Sequence, residues 1–128
     1  MFGRPGTIYI YLVYGMHWCL NLVTGPKDYP AAVLIRGVAM DGVPINRTNG
    51  PGKVCRALQI DGHLNAKPLG RPTGLWVEDA GTRVPVRHIK RTPRIGVDYA
   101  GAYRDKPWRS VWHPALTRRT RANPKNSF

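Results

Sequence analysis

Apolar positions in the first third of the chain come in runs that leave little room for a polar face. Residues 7–13 are β-branched, aromatic or apolar at every position. They predict a strand covered on both sides, or one whose open face receives a flat ligand. Tyr14, Gly15 and Met16 supply a turn, and residues 17–23 return as a second strand. Its alternation places Trp18, Leu20 and Leu22 on one face and His17, Cys19 and Asn21 on the other. Gly25 and Pro26 break this hairpin, which spans 7–24, and residues 31–38 form a third apolar run interrupted by Arg36.

The period then changes. Asn49 is placed as an N-cap, Pro51 falls in the first turn, and Val54 and Leu58 make an i, i+4 apolar pair. The spacing predicts a helix over about 50–60, ended by Asp61 and Gly62. Further on, short strand candidates lie at 75–77, 83–88, 94–97 and 108–112, separated by glycine and proline. The expected fold class is α+β, strand-dominated: antiparallel hairpins with one clear helix in a single domain over 1–116. Residues 117–128 are basic and poor in apolar side chains, and are expected to be a disordered tail.

Composition narrows the partners. The chain carries 20 Lys and Arg against 7 Asp and Glu, a formal net charge of +13. From Arg83 onward there are 12 basic and 2 acidic residues. That asymmetry favours a polyanion, and nucleic acid ahead of a merely solvated tail. The run from Pro5 to Pro26 holds no charge, yet its glycines, His17 and Asn21 and its β-branched content favour a buried hairpin over a membrane span or a secretory signal. Cys19 and Cys55 form no C-x-x-C pair and the four histidines are scattered, so two buried thiols are expected, with no metal site. The Asn46-Arg47-Thr48 sequon carries little weight. Residues 50–53 lack the spacing of a phosphate-binding loop, although Lys53 at a helix N-terminus could meet a phosphate.

Residues 1–7, the Tyr9, Tyr11 and Tyr14 array through Asn21, and residues 32–36, 49–58, 93–97 and 106–109 together resemble the alkyladenine (3-methyladenine) DNA glycosylase family, in the family's order. The resemblance covers roughly residues 1–109 with gaps. It implies base-excision repair: an alkylated purine is flipped out of double-stranded DNA and its N-glycosidic bond is hydrolysed. Tyr11 and Asn21 would bind the flipped base, Tyr11 by stacking and Asn21 by rejecting normal guanine. Tyr14 would intercalate where the base had been. Arg36 matches an arginine that would help position the attacking water. Lys53, Arg94, Lys106 and Arg109 are candidates for DNA phosphate contacts.

Such hydrolysis needs a carboxylate to polarise water and to stabilise charge on the sugar. In the family it is a glutamate upstream of the stretch matched by Met1, and the family also has a longer insertion where this chain has only residues 40–48. The one glutamate here is Glu78, in a turn-prone segment. The resemblance therefore implies an N-terminally truncated member with an incomplete glycosylase domain. It is expected to lack activity and to fold partially or dissolve poorly, and to be a monomer if folded. A different reading is a non-catalytic basic protein that binds DNA or RNA. Either would work where DNA is, in bacterial cytoplasm beside the nucleoid or in a nucleus.

Overall fold

A computed structural model describes residues 1–113. The predicted tail at 117–128 lies outside the described residues. The chain forms two compact units, Met1–Glu78 and the residues from Asp79 onward. Antiparallel strands with one α-helix among the described residues give the expected α+β class.

In the first unit, β1 (Ile8–Val13), β2 (His17–Val23) and β3 (Ala32–Leu34) form an antiparallel sheet in the order β1-β2-β3. Tyr14 and Gly15 both have positive φ, and the Met16 N–H donates to Val13 O. Positive φ at both central positions marks a primed turn, whose twist suits a tight hairpin. The register pairs Ile8 with Leu22, Ile10 with Leu20 and Tyr11 with Cys19.

One face of the sheet makes the core. Ile8, Ile10 and Leu20 are buried with Cys55 and Ile60, and Trp18, Leu22, Ile35, Leu64, Leu69 and Leu75 pack around them. Each fully buried Ile or Leu side chain contributes about 1.5–3 kcal/mol. The outer edge of β1 is closed by the segment after the helix: Ile8 N–H donates to Lys67 O, and Ala66 N–H to Ile8 O. The Asn65 side chain accepts from Ile10 N–H at 2.8 Å, so no buried donor on that edge faces apolar surroundings alone.

The helix, α1 (Pro51–Leu58), differs from expectation at both ends. Gly50, not Asn49, is the N-cap, and it offers no side-chain cap. Asn49 Oδ1 instead accepts from Lys53 Nζ at 3.4 Å. At the C-terminus Gln59 adopts φ 57, its N–H reaching Arg56 O, and Ile60 N–H closes onto Cys55 O at 2.8 Å. That double closure is a Schellman motif, and it delivers Ile60 into the core beside Cys55. Asp61 and Gly62 therefore follow the helix without ending it. Asp61 caps the short 3-10 turn Gly62–Leu64 by accepting from His63 N–H.

The third strand is shorter than the predicted 31–38. After Ile35 N–H donates to Leu20 O, Val38 N–H turns to Thr48 O, so the chain leaves the sheet. Residues 40–48 include a 3-10 turn at Ile45–Arg47. The strand predicted at 75–77 is reduced to an isolated bridge between Gly70 and Leu75.

In the second unit, β4 (Ile89–Thr92) pairs antiparallel with β5 (Arg109–Trp112), matching Ile89 to Trp112 and Thr92 to Arg109. Strand structure predicted at 83–88 is instead loop and a 3-10 turn, Val86–His88, entered from Pro85. Residues 94–97 form no strand either. The apolar residues there had the propensity, but Pro85 and Pro93 cannot donate to a ladder, and the pairing falls on 89–92. Among the described residues no helix is long and apolar enough to cross a membrane.

Candidate functional site

Strand register decides which of the candidate residues meet. In β1 and β2, Tyr9 stands opposite Asn21 and Tyr11 opposite Cys19. In β2 and β3, Asn21 stands opposite Leu34, and the Ile35 to Leu20 hydrogen bond carries that register on by one residue. Arg36 thus falls beside Cys19. Two rows result, Tyr9–Asn21–Leu34 and Tyr11–Cys19–Arg36, on the face opposite Ile8, Ile10 and Leu20. Since neighbouring side chains alternate across a strand, Tyr11, Asn21 and Arg36 share one side of the sheet.

Their surroundings differ. Asn21 is 7% exposed, and its Nδ2 donates to Tyr9 O and Cys19 O, both at 3.3 Å. A buried amide held by two carbonyls is satisfied and fixed in orientation. Tyr11 is 36% exposed, with its ring 5.5 Å from that of Tyr9 at a tilt of 39°. Cys19 is buried between Tyr11 and Arg36. Burial pushes its thiol up, while a hydrogen bond with Tyr11 and the Arg36 charge pull the other way. Arg36 is half-buried. A base held on this face would meet an aromatic ring, a fixed amide and a guanidinium.

Tyr14 sits at the hairpin tip, 89% exposed, with the exposed Met16 beside it. A side chain there is supported from below by strand and meets solvent on all other sides.

The phosphate candidates are less free than their charges suggest. Lys53 Nζ donates to Asn46 O at 2.9 Å as well as to Asn49. Arg94 lies over the Trp108 ring at 5.1 Å and donates from Nη2 to Tyr103 O at 3.3 Å. Arg109 Nη1 donates to Thr92 Oγ1 at 3.2 Å, and Lys106 is exposed. Glu78 is exposed and 3.9 Å from Arg71.

Cys19 is the member of this face that its residue type did not advertise. The signal was present, since Tyr11, Cys19 and Arg36 needed only a register to become neighbours. Both cysteines are free and buried, as expected from their spacing. Among the described residues no cluster of His, Cys, Asp or Glu could hold a metal ion.

The methylpurine-DNA glycosylase family model matches residues 1–114. A relative from Methanocella arvoryzae is 45% identical over 122 residues, covering 85% of this chain and 60% of the relative. One from Myxococcus xanthus is 46% identical over 114 residues, covering 88% and 57%. One from Psychrobacter cryohalolentis is 39% identical over 138 residues, covering 93% and 64%. All three are provisionally named 3-methyladenine DNA glycosylases. The chain spans between half and two thirds of the length of these relatives. With its hairpin, its open tyrosine face and a match running through residue 114, the chain belongs to the methylpurine-DNA glycosylase family.

Proposed function

We propose that this chain carries the base-holding face of a base-excision repair glycosylase, one that takes alkylated purines in double-stranded DNA. What supports the reading is the common face of Tyr11, Asn21 and Arg36, next to a hairpin tip that presents Tyr14. Alkylation leaves a purine electron-poor, and such a base stacks well on the ring of Tyr11. A fixed Asn21 amide cannot move aside for the exocyclic amine of normal guanine, so that base is rejected. Tyr14 enters the stack from the minor groove and fills the vacated space. Arg36 helps place the attacking water.

Cleavage is a separate matter. None of these side chains is a carboxylate, and hydrolysis through a positively charged sugar needs one. On this reading the chain by itself grips a flipped base without removing it. It works as a monomer, and the hydrolysis that the family resemblance implies, with water as the nucleophile, calls for no cofactor.

The test uses duplexes carrying 3-methyladenine or hypoxanthine. We expect no abasic sites above a protein-free control, and a preference for damaged over undamaged duplex of about tenfold, the scale of one stacked base. Tyr11→Ala abolishes that preference. Abasic-site formation would overturn the inactive half of the proposal, and Glu78→Gln would then show whether Glu78 serves as the base. A preference that survives Tyr11→Ala sinks the base-holding half and leaves a basic DNA- or RNA-binding protein.

A further inference from the structure

A second aromatic cluster lies in the unit that begins at Asp79. Gly101 has φ 58 and kinks the segment at 98–103, after which Lys106 N–H donates to Tyr103 O and Trp108 N–H to Lys106 O. These turns bring Trp108 back to Tyr103, with ring centroids 5.6 Å apart and a tilt of 31°. Arg94 packs on Trp108 and is tied to Tyr103 O, and its Nε is buried without a partner among the described residues. Despite these neighbours Trp108 remains 57% and Tyr103 56% exposed. Two large rings are thus held in place and still offered to solvent.

Their setting is strongly positive. Residues 79–113 hold eight Lys and Arg (83, 87, 90, 91, 94, 104, 106, 109) against three aspartates (79, 98, 105). Arg109 follows Trp108 directly, and Lys106 lies two residues before it. A fixed aromatic surface edged by cations matches the two needs of a single strand: a π-face for a base, and charge for its phosphates. A duplex offers its phosphates but keeps its bases stacked inside.

We propose that Tyr103, Trp108 and Arg94 form a stacking platform for an unpaired nucleobase of single-stranded nucleic acid, with Lys106 and Arg109 neutralising the adjoining phosphates. The platform is separate from the Tyr11 face in residues and in the strand structure it requires. It would let the protein grip DNA that is locally unpaired.

The experiment measures binding of the full chain to a labelled single-stranded oligothymidine and to an abasic strand of equal length. We expect the base-bearing strand to bind at least about tenfold more tightly. Trp108→Ala removes that difference while leaving the slope of affinity against salt unchanged, because the phosphate contacts remain. Trp108→Phe restores most of it, and Tyr11→Ala leaves it intact, which keeps this result independent of the proposed repair site. Equal affinity for the two strands in the unsubstituted protein overturns the proposal. So does a loss in Trp108→Ala that is as large on the abasic strand. A base-dependent difference that disappears in Tyr11→Ala would assign the stacking to the other face. Concentration-dependent self-association that Trp108→Ala abolishes, with strand binding unchanged, would make the cluster a contact between copies of the chain.

Discussion

Tyr14 holds φ 54 at the hairpin tip while its ring stands 89% exposed. A non-glycine residue in the left-handed region costs about 1–2 kcal/mol, and an exposed ring recovers little of that by packing. The next residue, Gly15, takes positive φ without that penalty. We predict that Tyr14→Gly stabilises the fold by about 1 kcal/mol in denaturant titration, and weakens binding to damaged duplex. A lower denaturation midpoint would show that the ring packs in solution, and unchanged DNA binding would remove its role as a wedge. Asn21 is a different case at the same scale. Its type and its place in the tyrosine array marked it, but only the fold shows its amide held by Tyr9 O and Cys19 O.

Elements were legible where local chemistry and partner agreed. The strand predicted at 17–23 is β2 itself, because its alternating Trp18, Leu20 and Leu22 also find strands on both sides. The strands predicted at 83–88 and 94–97 had propensity without a partner, while Ile89–Thr92 became a strand through its pairing with Arg109–Trp112. Strand propensity measures fit to a pleated surface, and that surface must exist. The helix was visible from Pro51 and its apolar spacing, but its end was not, since Gln59 rarely signals a left-handed cap. Just beyond it, a Cβ on Gly62 would sit 2.9 Å from the Trp18 ring, which packs against the core. Gly62→Ala should therefore cost about 1–3 kcal/mol of stability by overpacking. A change within about 0.5 kcal/mol in chemical denaturation would mean that the ring can move aside.

For the molecule as a whole, the two thiols tie stability to pH. Burial holds both Cys19 and Cys55 above the ordinary thiol value of 9.0. A folded-state value above the unfolded one contributes stability that is present below 9.0 and is lost as pH rises through the raised folded values. The denaturation midpoint should accordingly fall on the alkaline side. The double variant Cys19→Ala, Cys55→Ala should be less stable at neutral pH but show a shallower alkaline decline. An equal decline in both proteins would show that the thiols stay protected or that other groups dominate.

What the sequence determined by itself was the chemistry available: an uncharged hairpin with three tyrosines, a helix opened by proline, a large positive excess toward its end, and motifs in family order. Those follow from residue type and near spacing, because turn, strand and helix preferences act over a few residues. Which side chains meet was decided only by tertiary structure. Tyr11 and Cys19 are paired by a strand register, Arg36 comes up beside Cys19 just past β3, and Arg94, Tyr103 and Trp108 are gathered by a kink at Gly101. Register depends on which partners bury the opposite face, here Ile8, Ile10 and Leu20 against Cys55 and Ile60. Slipping a strand by one residue would turn its site residues into the core.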